Sequence, residues 1–443
     1  MTYQKIIENV SVNDLSHDGR GIGRVDQKVA FIDLALPGEI ADIQVCKNKS
    51  SLIESKVLNI RQENPELRVT AACPHFLECG GCSLQHLKWE AQIEFKQKQL
   101  LQQIKHHVGL ESTAFEILSP ITGDAFGYRR KARLGIKWLH KKNKLLIGFR
   151  EKYNPGIADL KTCLVLRKEF QIIWDELQPI LSQSSIKEQF PQLEIGVGDD
   201  GLVALVLRNL KPVPESEIDT LKNWAKTQGL NFYLQPKGPE SIIPVWESGI
   251  LSYRLQDKDL NYDLSYEFSA LDFVQVNQAV NAKMLKQALH LMNIQKEDRV
   301  LDLFSGMGNF SLPMAAQNPA SLVGVEGEKN LVARAQTKAE QYKLRAEFFL
   351  GDLFKDPSTQ AWAHADFNKV LIDPPRAGAE AVVQWLAAKP SVKSVVYVSC
   401  HPATLVRDMV HLLEGGFELK KLGVLDMFTH TTHVESMAYF DRD

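Results

Sequence analysis

Along residues 5–60, apolar and polar positions alternate in short runs broken by turn residues. IIENVSVNDL, AFIDL, EIADIQVC and ESKVLNI read as strands. HDGRGIGRVDQ and LPGE read as turns, where glycine takes positive φ without strain. Several short strands in so few residues predict a small closed barrel of the OB type. RQENPELRVTAA (61–72) reads as a linker. Residues 84–108, rich in Gln, Leu and Lys at helical spacing, read as a helix. From 115 to 270 strands and helices mix. KARLGIKWL and KLLIGFRE flank the turn HKKN, EIGVGDDGLVALVLRNL reads as a hairpin, and ESEIDTLKNWAKTQG as a helix stopped by glycine.

From about residue 271 the rhythm changes. Apolar strands end near Phe304, Glu326, Asp373 and Ser399, with helical stretches between them, which predicts a parallel, doubly wound sheet. GFELKKLGVLDMF and HVESMAYF supply two closing strands. The expected architecture is α/β. An OB-like barrel covers 1–62 and a mixed α+β domain covers 63–270, with helix 84–108 able to pack on the last domain. A doubly wound, Rossmann-like domain covers 271–443. Ligands of such sheets sit at the carboxyl ends of the strands.

Composition narrows the partners. The 443 residues suit about three domains. Lys and Arg total 52 against 54 Asp and Glu, so the chain is no polycation and any nucleic-acid site must be a local patch. The longest apolar run, Leu202–Leu207, is strand-sized, and MTYQKIIENV lacks a signal-peptide layout, so a cytoplasmic protein is expected. The barrel segment 5–60 is nearly charge-balanced, which leaves an RNA-binding and a purely structural barrel equally open. The obvious patch is Tyr128–Lys152. It holds ten Lys or Arg against the single acid Glu151, interleaved with Tyr128, Trp138 and Phe149 and followed by Tyr153. Basic groups neutralise phosphates and aromatics stack on unpaired bases; the alternative is a solvated hairpin face.

Three of six cysteines form C-x5-C-x2-C (Cys73, Cys79, Cys82), with Cys163 available as a fourth. A disulfide framework needs a secreted context and an even local set. The stretched spacing favours a four-thiolate iron–sulfur cluster. Zinc with help from His75 or His86, and unligated thiols, remain alternatives. Cys46 is expected to be buried in the barrel.

Residues 300–310, VLDLFSGMGNF, run from strand through a Gly-x-Gly turn toward a helix, and Glu326 ends the next strand. A carboxylate there can accept from both ribose hydroxyls of a nucleoside. The third glycine of a dinucleotide fingerprint is missing, so an adenosyl ligand such as S-adenosylmethionine fits better than a pyrophosphate. Asp373 (in VLIDPPR) and Cys400 (in VYVSCHP) end two further strands, and Glu435 sits where the last strand could reach the same edge. A helix N-terminus beside Cys400 is expected to lower its thiol pKa. A thiolate, an acid and a methyl donor suit one reaction class. The thiolate adds to carbon-6 of uracil, carbon-5 becomes nucleophilic and takes the methyl group, and a base then removes the carbon-5 proton. The uridine must be unpaired or flipped out.

The motifs DFVQVN (272–277), DLFSGMGNF (302–310), GVEG (324–327), IDPPRAG (372–378), SCHPATLVRD (399–408) and HVESM (433–437) resemble those of the RNA 5-methyluridine methyltransferases. The resemblance spans the whole chain once the barrel is included, which is similar to a TRAM domain. It implies Cys400 as nucleophile and Glu435 as proton acceptor. Gln275, Phe304, Asn309, Glu326, Asp352 and Asp373 are implied as contacts to S-adenosylmethionine. Cys73, Cys79, Cys82 and Cys163 are implied as ligands of a [4Fe–4S] cluster. Barrel and cluster together resemble the branch that acts on uracil 1939 of 23S rRNA. The expected partner is therefore 23S rRNA, with no membrane, and the expected state is a monomer.

Overall fold

The computed structural model describes residues 5–443. Met1–Gln4, which open the expected barrel segment, lie outside the described residues. Strands β1 (Ile6–Leu15), β2 (Gly21–Val25), β3 (Lys28–Asp33), β4 (Ile40–Asn48) and β5 (Leu52–Gln62) close a barrel in the order β1-β2-β3-β5-β4. Its core is made of alternate apolar positions, among them Val10, Val12, Ala30, Ile32, Ile43 and Ile53. Two expectations need correction. Part of HDGRGIGRVDQ is strand, not turn: Gly21 and Gly23 lie in β2 without positive φ. They are small because the barrel wall is close. A Cβ on Gly21 would lie 2.9 Å from both Cβ and O of Ala35. Cys46 is exposed rather than buried. On β4 the inward positions are Ala41, Ile43 and Val45, so period two turns Gln44 and Cys46 outward.

The linker is tied down. Arg68 donates to Leu34 O and Glu39 Oε2 of the barrel, both at 2.8 Å. Helix α1 (Trp89–Val108) begins five residues later than the sequence suggests, because 84–88 form a turn. The short strand β6 (Glu116–Ile117) follows. The central sheet uses β7 (Lys131–Leu139), β8 (Lys144–Gly148), β9 (Gln192–Val197), β10 (Val203–Arg208), β11 (Asn231–Gln235) and β12 (Ile243–Trp246), in the order β12-β11-β10-β9-β7-β8. Helices α2 (Gln178–Gln183) and α3 (Glu215–Gln228) bury Leu181, Leu221 and Ala225 against it. A hairpin of β13 (Leu251–Asp257) and β14 (Tyr262–Phe268) then leads into the C-terminal part, sharing its core.

That part alternates α4 (Gln278–Met292), β15 (Arg299–Leu303), α5 (Ser311–Ala315), β16 (Ser321–Glu326), α6 (Lys329–Gln341), β17 (Glu347–Leu350), β18 (Lys369–Ile372), α7 (Glu380–Ala387), β19 (Ser394–Ser399), α8 (Pro402–Glu414), β20 (Glu418–Leu425) and β21 (Glu435–Asp441). The sheet order is β17-β16-β15-β18-β19-β21-β20-β6, with β21 antiparallel to both neighbours. Strands β15, β16, β18 and β19 are mostly apolar, as burial on both faces favours. Helix α1 belongs to this core: Leu100 and Ile104 join Val395, Leu422 and Phe440. Strand order reverses between β15 and β18, and the crevice above that point is where a ligand fits. Among the described residues no helix is long and apolar enough to cross a membrane.

Adding one methyl group at Gly21 forces Ala35 or its carbonyl to move. Gly21→Ala should cost about 1–3 kcal/mol. Urea unfolding of the full chain should show this as a lower-midpoint barrel transition.

Candidate active site at the carboxyl edge of the sheet

The loop after β15 is shaped by unusual backbone. Phe304 has φ 64°, Gly306 56° and Gly308 88°. A left-handed conformation at a non-glycine residue costs about 1–3 kcal/mol and is held only by its surroundings. Here the hold is specific. Glu326, at the end of β16, accepts from the Gly306 and Glu328 N–H groups at 3.0 Å each, and Tyr266 donates to Gly308 O at 3.0 Å. Asn309 exchanges two 3.1 Å hydrogen bonds with Asn281 of α4, which fixes its amide plane. Phe304 meets the ring of Phe354 edge-on at 5.8 Å, forming one wall. Asp352 pairs with Lys355 at 2.7 Å, which holds its carboxyl below the usual range.

This loop floors a cavity of about 1090 Å³. The structure brings together in its lining Gln275, Phe304, Asn309, Glu326, Asp352, Asp373, Cys400 and Glu435. Gln275 arrives from the segment before α4, Asp373 follows β18, Cys400 follows β19, and Glu435 opens β21. Asp373, Cys400 and Glu435 converge because their strands share one edge, and the segment before α4 brings Gln275 to it.

The electrostatics of this edge are set by loss of water. Burial, reinforced by Asp373, pushes Glu435 up to about 8, against the pull of Lys96 and Arg376. Burial pushes Asp373 up to about 7, and Asp302 beneath the loop up to about 8. The expectation of an acidified Cys400 is overturned. Burial raises its thiol pKa, Glu435 and Asp373 add to the rise, and Arg376 opposes it. Cys400 does precede α8, but desolvation and two nearby acids outweigh the helix end. The resting group is a thiol.

Sequence reasoning gave no role to Arg376, Phe428 or His433, which also line the cavity. Arg376 Nη2 lies 3.0 Å from His433 Nδ1. Both stand inside motifs already singled out, IDPPRAG and HVESM, and that position was the available signal. Phe428 lies on the 426–434 loop between β20 and β21, where the chain pattern gives no hint of a destination.

The cysteines form a second, separate group. Cys73, Cys79, Cys82 and Cys163 line one small cavity with Phe76, Phe149, Leu160 and Val165. Burial pushes the Cys82 thiol to about 12 and Cys163 to about 11, with neighbouring cysteines adding to both. Gly81 N–H points at Cys79 Sγ, 3.4 Å away. His75 lines the cavity and accepts from Lys161 N–H at 3.2 Å, while His86 is buried against Phe76. Among the described residues, no group of three or more His, Cys, Asp or Glu is arranged to hold a metal ion.

The basic stretch proves less open than its composition suggests. Arg130 pairs with Asp199, Arg133 with Glu194 and Lys144 with Asp159, while Lys131 donates to Asp272 O. Tyr128 is buried and donates to Thr429 O at 3.1 Å, Phe149 lines the cysteine cavity, and Lys187 covers Trp138 at 4.1 Å. These three aromatics are engaged within the protein. Lys137, Lys141, Lys142 and Arg150 remain exposed.

A cavity over a glycine loop, at the switch point of a doubly wound sheet, gives the C-terminal part the form of a Rossmann-like nucleotide-binding fold. Comparison with known proteins narrows the class. The tRNA (Uracil-5-)-methyltransferase family model matches residues 88–350 and 357–443, and the TRAM domain model matches residues 3–70. The chain belongs to this uracil-5-methyltransferase family and carries a TRAM domain at its N-terminal end. It is 42% identical over 437 residues to the 23S rRNA (uracil(1939)-C(5))-methyltransferase RlmD of Alcanivorax borkumensis, covering 98% of this chain and 96% of that protein. It is 40% identical to the protein of that name from Psychrobacter arcticus, covering 98% and 90%. Among solved structures it is similar to the Pyrococcus abyssi tRNA (uracil-54, C5)-methyltransferase in complex with S-adenosyl-L-homocysteine. There the TM-score is 0.72 at 24% identity, over 98% of this chain and 100% of that one.

The raised thiol makes a pH prediction. Alkylation of Cys400 by iodoacetamide, followed by peptide mass mapping, should have its midpoint above that of free cysteine in the same buffer. The rate rises with pH because only the thiolate reacts. Equal midpoints would contradict the desolvated environment described above.

Proposed function

We propose that this protein transfers a methyl group from S-adenosylmethionine to carbon-5 of a uridine in 23S rRNA, through a covalent Cys400 adduct. The observation that carries this reading is the single cavity in which Cys400, Glu435 and Asp373 face the glycine loop and Glu326. When bound, S-adenosylmethionine supplies an electrophilic methyl group on a sulfonium. Glu326 would accept from its ribose hydroxyls. Gln275, Phe304, Asn309, Asp352 and Asp373 would complete the pocket and turn the methyl toward the base.

The rest is chemistry of this chain. Cys400 loses its proton to a neighbouring carboxylate. Two desolvated acids near neutrality, Glu435 and Asp373, are well matched to that task at physiological pH. The sulfur then bonds to carbon-6 of uracil, and the electrons of the 5,6 double bond move to the carbonyl oxygen. Carbon-5 attacks the methyl group as the sulfonium carbon–sulfur bond breaks. Glu435 takes the carbon-5 proton, the double bond re-forms, and Cys400 is released. The uridine reaches the sulfur only when unpaired or flipped out. The full-length relatives named for 23S rRNA favour that RNA over tRNA.

We further propose that Cys73, Cys79, Cys82 and Cys163 hold a [4Fe–4S] cluster. Four thiols around one apolar cavity suit it as a donor set. With all four irons ligated, its role is structural.

Cys400→Ala should abolish methylation of a 23S rRNA fragment by labelled S-adenosylmethionine. Glu435→Gln should still form the adduct but release it at least about 100-fold more slowly. Full turnover by Cys400→Ala would refute the covalent route, and equal labelling of bulk tRNA would refute the substrate assignment. Protein prepared without oxygen should be brown, with iron and sulfide near four per chain. A colourless protein with one zinc would refute the cluster.

A further inference from the structure

Lys96 lies on α1, outside every strand end that builds the site, yet its side chain is only 1% exposed. Its ammonium pairs at 2.6 Å with Asp426, itself 2% exposed, and donates to Phe428 O at 3.0 Å. Trp89 and Thr429 each donate to the other oxygen of Asp426 at 3.0 Å. The same helix grips the loop again through Gln92, which bonds Leu84 O, Leu87 O and His430 Nδ1 and accepts from His430 N–H. This loop, 426–434, carries Phe428 and His433 into the cavity and delivers Glu435.

We propose that Lys96 is a positioning residue for the methyl transfer, holding the 426–434 loop from α1 and presenting a buried positive charge to the Glu435 carboxylate. A surface helix that only needed packing would not bury an ammonium, because a buried ion pair rarely adds net stability over apolar side chains of the same volume. The charge has a use here. Glu435 is faced by Asp373 from the end of β18, by Cys400 from the end of β19, by Arg376 from the loop after β18, by His433 and Asp426 from its own loop, and by Lys96 from α1. Of these, Lys96 and Arg376 favour its ionised form and Asp373 opposes it. Arg376 is exposed to solvent and Lys96 is not, so the screened charge is Arg376 and the lasting one Lys96.

The inference rests on the function proposed above, with Glu435 as the base. The test is single-turnover formation and decay of the protein–RNA adduct across pH. In the wild-type protein, decay should speed up with pH as Glu435 ionises and then level off. Lys96→Met combined with Asp426→Asn leaves no unpaired buried charge, so it should fold. It should move that midpoint up by about one pH unit, slowing decay about tenfold below the midpoint. KM for S-adenosylmethionine should not change, because Lys96 does not line the cavity. Asp426→Asn alone is the second variant. It removes the anion that offsets the Lys96 ammonium and leaves that charge to Glu435, so the midpoint should move down instead. Either folded variant with a wild-type midpoint would overturn the proposal, whatever its loss of stability. Failure of both to fold would also overturn it, by making the pair a requirement of folding. Absence of any adduct in the wild-type protein would instead overturn the proposed chemistry, so the two failures are distinguishable.

Discussion

Strand order in the C-terminal sheet runs outward both ways from β15 and β18, and that reversal is the constraint on which the site depends. Helices entering and leaving at this point diverge, so a crevice opens at the carboxyl edge. The loop after β15 fills its floor in a strained conformation pinned by Glu326. Once the crevice exists, every residue just past the ends of β18 and β19, and the first residue of the antiparallel β21, falls on its rim. Asp373, Cys400 and Glu435 are neighbours for that reason alone.

The same crevice sets the chemistry by desolvating the groups on its rim. Thiol and carboxylates are all shifted toward their protonated forms, and burial is the largest cause in each case. A permanently ionised thiolate would face two acids in a partly desolvated crevice. A thiol and two acids of near-neutral pKa can pass a proton between them instead. The N-terminal half of the chain closes the pocket from behind. Ser83 and Leu84 donate to His430 O at 2.9 and 3.0 Å, Tyr128 reaches Thr429, and α1 holds Asp426. The turn after Cys82 thus rests directly on the loop that delivers Glu435. The cysteine region and the active site share a structural wall while staying chemically separate.

Much of this was legible in the chain because strand ends advertise themselves. Apolar runs stopping at Phe304, Glu326, Asp373 and Ser399 are local signals, and a parallel sheet gathers them on one edge. The barrel was legible from its alternation, although Gly21 and Gly23 were misread, since a close wall and a turn both call for glycine. Electrostatics were not legible. A helix beginning beside Cys400 suggested an acidified thiol, but desolvation depends on what covers a residue, and the cover comes from distant segments. Lys96 was invisible for the same reason: 330 residues separate it from Asp426. The basic run misled in the opposite direction, since its acidic partners Asp159, Glu194 and Asp199 lie outside the window that made it look unpaired.

The central claim is that Cys400 bonds to the base it helps to methylate. The most direct measurement uses a 23S rRNA fragment carrying 5-fluorouridine, with labelled S-adenosylmethionine. Fluorine at carbon-5 cannot leave as a proton, so the intermediate should persist. The account predicts a protein–RNA adduct that contains the methyl label, maps by peptide mass to Cys400 and is absent from Cys400→Ala. A labelled adduct on another residue, or methyl transfer to unmodified RNA with no adduct from the fluorinated one, would contradict it.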